Sequence, residues 1–182
     1  MTTTSHPSMS DKIIIIDFED SFTYNIANVL FSFERKISIL PHREFFASMD
    51  FLIDVREKIA VILGPGPGHP DQYEKYFDQI KLLMKNDNIY VMGICLGHQI
   101  MARAHGYVVK KSKVQMHGQS VEMFFNGIST RVQRYNSLAV FSDDNEINIC
   151  EYKNAISYQF HPESIGTLQN DLFFNDLLKF IK

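Results

Sequence analysis

The order of apolar and polar residues along the chain predicts strands that alternate with helices. Short, mainly apolar runs are typical of strands that are covered on both faces, and these are predicted at residues 12–16, 36–40, 59–62, 89–94 and 155–158. Apolar residues at helical spacing predict helices at residues 22–33, 73–84, 96–105 and 170–181. Asp20 and Ser21 offer caps to the first of these helices, and Gly106 ends the third.

This alternation predicts an α/β domain with a mostly parallel sheet and helices on both faces. From about residue 107 to residue 158 the pattern changes to short β-like segments with Asn, Ser and Asp between them. We therefore expect short β segments in the C-terminal half in addition to the parallel sheet.

Composition and charge fit a single domain of the cytoplasm. The chain has 182 residues, of which 45% are hydrophobic, and this is enough for one full core. Its 18 Lys and Arg against 21 Asp and Glu give a net charge of −3, with no basic run suited to nucleic acid or a membrane surface. Residues 1–11 are polar and are expected to be a disordered extension of a domain at 12–182, and two cysteines suggest no disulfide scaffold.

The strongest chemical signal is the Gly-x-Cys-x-Gly sequence at residues 93–97, with Cys95 at its centre. It resembles a nucleophile elbow, the sharp strand-to-helix turn that exposes an attacking atom. At a helix N-terminus, free N–H groups and the helix dipole favour a thiolate and the oxyanion that forms when it attacks. A lone Cys among apolar residues is more often a small buried side chain, and Cys150 is interpreted in that way. His98, next to the elbow, is expected to serve packing.

A general base for Cys95 is available near the C-terminus. His161 follows the predicted strand at 155–158, and Glu163 stands two residues after it. In a Cys-His-Glu arrangement His161 takes the thiol proton and later returns it to the leaving amine, while Glu163 holds one imidazole tautomer. Taken alone, the same segment is better interpreted as a surface turn.

Alternating Gly and Pro in residues 64–70 predict a stiff loop at the carboxyl end of a strand, where open α/β sheets have their ligand sites. Glycine lets the backbone approach a ligand closely, so the N–H groups of Gly66 and Leu96 are candidate donors to an oxyanion. The loop lacks the Gly-Lys-Ser/Thr ending of a nucleotide-phosphate loop. In isolation, it is also compatible with a simple rigid turn.

Taken together, the motifs resemble class I (triad-type) glutamine amidotransferases. The motifs are Pro-Gly-Pro-Gly-x-Pro at 65–70, Gly-x-Cys-x-Gly-His-Gln at 93–99, Arg-Tyr-x-Ser-Leu at 134–138 and Phe-His-Pro-Glu-Ser at 160–164. Residues 20–25 and 116–118 resemble, more narrowly, the glutaminase subunit of anthranilate synthase and aminodeoxychorismate synthase. The resemblance covers nearly the whole chain, from about Ile13 onward.

The resemblance implies a flavodoxin-like sheet, a γ-glutamyl thioester on Cys95, and ammonia delivered to a chorismate-using synthase subunit. It implies no cofactor, and the scattered His, Asp and Glu residues predict no metal site. The glutamine-binding residues it implies are Gly66, Pro67, Gly68, Gln99, Ser137 and Leu138. The partner-interface residues it implies are Ser21, Tyr24, Asn25, His117 and Gly118.

The chain departs from the family pattern at three positions and in two segments. Asn136, Gln119 and Gly166 replace the usual His, Lys and aliphatic residue. The hairpins between 117 and 134 and between 138 and 160 are expected to be shorter than usual. These changes concern the partner interface and the affinity for glutamine. Two alternatives to an amidotransferase subunit stay open: a weakly active or non-catalytic interaction subunit, because of the shorter hairpins, and a stand-alone γ-glutamyl hydrolase, because the same triad cleaves other γ-glutamyl amides.

Overall fold

The computed structural model describes residues 12–33 and 36–182, so the extension predicted at residues 1–11 lies outside the described residues. The helices are α1 Phe22–Phe31, α2 His42–Ser48, α3 Phe77–Lys85, α4 Leu96–Ala104 and α5 Asp171–Phe180, with 3-10 helices at Met49–Leu52 and Pro70–Tyr76. The strands are β1 Ile13–Asp17, β2 Ile37–Pro41, β3 Ile59–Leu63, β4 Ile89–Ile94, β5 Val108–Phe125, β6 Ile128–Ser142, β7 Asn145–Ile147, β8 Ile149–Tyr152 and β9 Ala155–Tyr158.

The main sheet has the strand order β2-β1-β3-β4-β9-β8. Its first five strands run parallel to one another, and only β8, the last strand in the order, is antiparallel. This is the order of a flavodoxin-like sheet, so the predicted fold class is confirmed.

Helices cover both faces of the sheet because successive strand residues point to opposite sides. Ile13 and Ile15 pack in a cluster with α1 and α5, whereas Ile14 and Ile16 pack in a second cluster with α2, α3 and α4. All four isoleucines are buried. The continuous apolar run therefore forms a central strand with two covered faces, as its pattern predicts.

Two predicted helices differ in detail. Of the two residues predicted to cap α1, only Asp20 does so: its Oδ1 accepts a hydrogen bond from the Phe22 N–H at 2.8 Å, and the Ser21 side chain makes no cap. The helix ends at Phe31, two residues before the predicted end. The segment predicted as one helix at 73–84 consists of a 3-10 helix that ends at Tyr76, followed by α3.

The prediction of short β segments is wrong for most of the region after residue 107. β5 has 18 residues and β6 has 15, and together they form a long hairpin that turns at Asn126 and Gly127, both with positive φ. Exposed polar residues interrupt the apolar alternation of these strands, which hid their length. Gly118, with φ of 73°, lies where the pairing of β5 shifts register, so it belongs to a bulged strand and not to a plain turn.

Within the described part of the chain, no helix is long and apolar enough to cross a membrane.

Candidate active site

Cys95 stands between β4 and α4 in a strained backbone conformation, with φ of 54° and ψ of −101°. Its N–H donates to the Tyr158 carbonyl at 2.8 Å, and its own carbonyl accepts the first hydrogen bond of α4, from the Gln99 N–H at 3.2 Å. Strand β9 and helix α4 therefore hold the turn from both sides, as a nucleophile elbow requires.

The two glycines of the elbow are required by close packing. A Cβ atom on Gly97 would overlap the carbonyl group of Leu63 at the end of β3. A Cβ atom on Gly93 would come within 2.6 Å of the Met101 sulfur and would also crowd the backbone of Gly97. The small residues on either side of Cys95 thus let α4 lie directly against the ends of β3 and β4.

His161 and Glu163 reach the same edge of the sheet because β9 is the parallel neighbour of β4. His161 is 2% and Glu163 4% exposed, and His161 Nδ1 lies 2.7 Å from Glu163 Oε1. This burial excludes the surface turn that the segment alone suggested. The carboxylate fixes the ring so that Nε2 is left for another partner.

The loop that carries His161 is fastened to the long hairpin and to its own end. The His161 N–H donates to the Gln133 carbonyl on β6 at 2.9 Å, and the Thr167 hydroxyl donates to the His161 carbonyl at 2.6 Å. The rings of Phe22 and Tyr135 pack against the imidazole, with centroid distances of 4.9 and 5.5 Å. The position of the base therefore depends on α1 and β6 as well as on β9.

His161 Nε2 is buried and has no hydrogen-bond partner of ordinary geometry. The Cys95 thiol nevertheless lies near enough to affect the pKa of the imidazole. Burial lowers the pKa of His161, whereas hydrogen bonding and charge from Cys95 and Glu163 outweigh burial and raise the pKa from 6.5 to about 10. The imidazolium is thereby favoured, which is the form that pairs with a thiolate.

The two candidate oxyanion donors lie on adjacent segments. Gly66 packs so closely on Leu96 and Phe18 that a Cβ atom there would be 2.6 Å from a carbon of each side chain. The loop is tied to the start of α4 by the Gly97 N–H, which donates to the Gly64 carbonyl at 3.2 Å. Leu96 carries the first amide of α4, one of those that a helix leaves without an internal partner.

A cavity of about 220 Å³ opens beside Cys95. It is lined by Gly66, Gly68, Cys95, Leu96, Gln99, Tyr135, Asn136, Ser137 and Leu138. Five of the six residues expected to bind glutamine are therefore brought together. Pro67 is not among them: it lines a neighbouring cavity of about 380 Å³ with Phe18, His42 and Tyr73, and no Cys or Ser lines that cavity.

The side-chain amide of Gln99 is already engaged on its donor side. Gln99 Nε2 donates to the Leu138 carbonyl and to Gln159 Oε1, both at 3.1 Å. Only Gln99 Oε1 is left for a ligand in the cavity, so Gln99 would accept and not donate a hydrogen bond there.

The structure explains two of the three departures from the family pattern. Asn136 is buried, and its carboxamide accepts from Arg134 Nε at 3.0 Å and donates to the Leu138 carbonyl at 2.9 Å. Gly166 leaves room for the Gln133 side chain, which accepts from the Ser164 hydroxyl at 3.0 Å and would overlap any Cβ atom on Gly166. Nothing in the structure explains Gln119, which is exposed on β5.

His98 has the packing role expected for it. Its ring is fully buried, with Nδ1 at 2.8 Å from the Ser157 hydroxyl and Nε2 at 3.0 Å from the Ile147 carbonyl. Burial lowers the pKa of His98 to about 4, so the ring is neutral. Cys150 is likewise buried.

The residues expected at a partner interface are exposed and flank the segment around His161. Ser21, Tyr24 and Asn25 lie at the start of α1, and His117 and Gly118 lie in the bulge of β5. His117 pairs with Tyr135 across the hairpin, and the Tyr135 ring also contacts Phe22 at 5.3 Å. The two segments therefore meet around the rings that cover His161.

Sequence reasoning missed Gln133 and Gln159. Gln133 had no signal, because only the pairing of β6 with the His161 loop brings it to the site. Gln159 had one: it stands two residues before His161, and residues two apart in an extended segment point to the same side. Among the described residues, no group of three or more His, Cys, Asp or Glu could hold a metal ion.

Comparison with known proteins defines the family. The model of the class-I glutamine amidotransferases matches residues 14–180. Anthranilate synthase component 2 of Cyanidium caldarium is 29% identical over 91% of this chain and 97% of its own, and that of Saccharolobus solfataricus is 31% identical over 86% and 92%. Aminodeoxychorismate synthase of Saccharomyces cerevisiae is 29% identical over 92% of this chain, which spans only 27% of that protein.

The fold agrees with this assignment. A solved glutamine amidotransferase from Thermotoga maritima has a TM-score of 0.59 at 18% identity, over 93% of this chain and 84% of its own. The chain belongs to the class-I glutamine amidotransferase family, and the resemblance drawn from its motifs is confirmed.

Proposed function

We propose that this chain is a glutaminase subunit that hydrolyses L-glutamine through Cys95, His161 and Glu163 and delivers ammonia to a chorismate-using synthase subunit. The observation that carries the proposal is the strained elbow at Cys95, which presents a thiol at a helix N-terminus opposite a buried His-Glu pair.

In the proposed first step, His161 holds the proton of the Cys95 thiol, and the thiolate attacks the side-chain amide carbon of glutamine. The N–H groups of Gly66 and Leu96 would stabilise the oxyanion of the tetrahedral intermediate. The C–N bond then breaks, His161 returns the proton to the leaving nitrogen, and ammonia departs from a γ-glutamyl thioester.

In the second step, His161 takes a proton from a water molecule, which attacks the thioester carbon. Collapse of the second tetrahedral intermediate breaks the C–S bond and releases glutamate, and the proton on His161 again pairs with the Cys95 thiolate. Glu163 does not change its own protonation in either step; it orients the imidazole and stabilises its charged form.

The synthase partner is supported by the relatives and by the exposed segments beside the site. The relatives that match over most of their own length are named component 2 of anthranilate synthase. Tyr24 is 65% exposed on α1, the helix whose Phe22 ring packs against His161, and an exposed aromatic side chain of this kind is common at protein interfaces.

The decisive experiment measures ammonia release from L-glutamine with the chorismate-using synthase subunit of the same organism titrated in. We expect slow release that rises and saturates near a stoichiometric ratio, and the aromatic product names the pathway. Release that ignores the partner would indicate a stand-alone γ-glutamyl hydrolase. No release from folded protein with or without the partner would indicate a non-catalytic interaction subunit.

The Cys95→Ala variant is expected to lose ammonia release by at least about a thousandfold, as removal of a nucleophile does in a triad. Cys150→Ala is the matched control. It removes the second buried thiol, which lies on β8, and is expected to leave the rate of ammonia release unchanged. Full activity of Cys95→Ala would exclude the proposed mechanism.

A further inference from the structure

Gln159 contacts the nucleophile directly. Its side chain is fully buried, and Nε2 donates to Cys95 Sγ at 3.9 Å, a length compatible with the large radius of sulfur. Its backbone is fixed as well, since the Gln159 N–H donates to the Asn148 carbonyl at 2.8 Å. The carboxamide is thus held beside the sulfur by its surroundings.

The orientation of the Gln159 carboxamide follows from its neighbours. The Leu138 carbonyl can only accept, so the end of Gln99 that faces it at 3.1 Å must be the NH₂ group. The same NH₂ group faces the end of Gln159 at 3.1 Å, and that end must therefore be the oxygen. This leaves the Gln159 NH₂ group toward Cys95.

We propose that Gln159 is a second hydrogen-bond donor to the Cys95 thiolate and that Gln99 is the positioning residue that orients it. This inference rests on the proposed function of Cys95 as the nucleophile. An N–H group that donates to an anion stabilises the charged form, and in a buried site this effect is stronger than in water. Because an amide does not titrate, Gln159 stabilises the thiolate without competing for the proton that His161 carries.

The arrangement connects the glutamine cavity with the nucleophile through a chain of side-chain amides. It runs from the Leu138 carbonyl through Gln99 and Gln159 to Cys95 Sγ, and each of its links is a hydrogen bond donated by an amide NH₂ group. Gln99 therefore has two roles: it lines the cavity, and its NH₂ group holds Gln159 in the orientation that favours the thiolate.

The test is the pH dependence of Cys95 alkylation by iodoacetamide in the absence of glutamine, followed by mass spectrometry of the peptide that contains Cys95. Gln159→Met keeps the size of the side chain but removes the donor, and we expect the midpoint of the profile to move to higher pH and the rate below the midpoint to fall about tenfold. Gln159→Glu places an anion next to the sulfur and is expected to move the midpoint further.

Gln79→Met is the matched control. Gln79 also donates from a partly buried position to a backbone carbonyl, that of Phe46 at 2.9 Å, but it lies on α3 away from the elbow. The alkylation profile of Gln79→Met should therefore overlay that of the wild type.

Gln99→Met frees the Gln159 carboxamide to turn its oxygen toward sulfur, and we expect a shift in the same direction as for Gln159→Met. This second variant decides the matter if Gln159→Met does not fold.

A Gln159→Met profile that overlays the wild type, in protein with an unchanged melting temperature, would overturn the inference. For the second variant, an unshifted Gln99→Met profile would do the same. Since alkylation requires no glutamine, failure of the proposed function is seen separately in the ammonia assay. There, either the wild type would release no ammonia with its partner, or Cys95→Ala would still release it, whatever the alkylation profiles show.

Discussion

The proton on His161 connects catalysis with stability at the scale of single residues. Because Glu163 and Cys95 raise the pKa of His161 from 6.5 to about 10, the folded protein binds this proton more tightly than the unfolded chain does. Between these two values the unfolded state carries fewer protons, so the stability of the fold decreases as pH rises. The contribution is complete below pH 6.5 and is lost as pH passes about 10.

The Glu163→Gln variant tests this linkage. It removes a charged hydrogen-bond partner of His161, and we expect a loss of about 1.5–3 kcal/mol near neutral pH. The difference in melting temperature between wild type and variant should shrink as the pH is raised from 6.5 toward 10, which circular dichroism can follow.

Asp176→Asn is the control for this measurement, because it breaks only the exposed ion pair with Lys179, whose N···O distance is 3.5 Å. Its effect should be small and nearly constant over the same range. A difference for Glu163→Gln that does not change with pH would contradict the linkage.

At the scale of elements, the junction of β4 and α4 sets the backbone geometry of Cys95, the proposed nucleophile. The helix approaches the sheet so closely that Gly97 has no room for a methyl group. In a densely packed interior such an overlap is relieved only by moving backbone. The elbow is therefore an arrangement of two elements, and the strained turn persists because both are anchored.

Gly97→Ala is expected to destabilise the fold by about 3 kcal/mol or more, since the new methyl group meets the Leu63 carbonyl and not a flexible side chain. Gly106→Ala is the comparison: Gly106 has φ of 87° but nothing lies within 4 Å of a Cβ atom there, so only backbone strain of about 1–2 kcal/mol is expected. Urea unfolding measures both, and equal losses would show that α4 can move away from β3.

At the scale of the whole molecule, the surface at the carboxyl ends of the parallel strands differs from the surface at their amino ends. Around the Cys95 edge, the start of α1 and the bulge of β5 expose Tyr24 and His117. At the opposite edge, Leu82 is 58% exposed beside a cavity that Ile89 lines at the start of β4. The proposed delivery of ammonia from Cys95 would place the synthase subunit on the first of these surfaces.

Tyr24→Asp should therefore raise the concentration of synthase subunit needed for half-maximal ammonia release by about tenfold, the effect of losing an interface anchor of about 1.4 kcal/mol. Release without the partner should stay the same. Leu82→Asp changes an equally exposed apolar residue on the far edge and should alter neither quantity. Equal effects of the two substitutions would contradict an interface at α1.

Most of the main sheet could be predicted from local patterns, and the three residues proposed for catalysis could be selected from them. The apolar run at 89–94 coincides with β4, and the glycines around Cys95 predict a turn that the structure contains. His161 and Glu163 needed only their position after a strand. The length of the β5–β6 hairpin could not be predicted from the residue pattern, because most residues of β5 and β6 are exposed and their pairing joins distant segments.

What the sequence by itself determined is the alternation of strands and helices, the elbow and the candidate base, because apolar periodicity and glycine spacing act over a few residues. Only the tertiary structure decided which side chains meet. The order of β4 and β9 brings His161 to Cys95, and the register of β6 brings Gln133 to the His161 loop. The chain of amides through Gln99 and Gln159 has the same origin: its members lie 60 residues apart, and hydrogen bonds at that separation depend on the packing of whole elements.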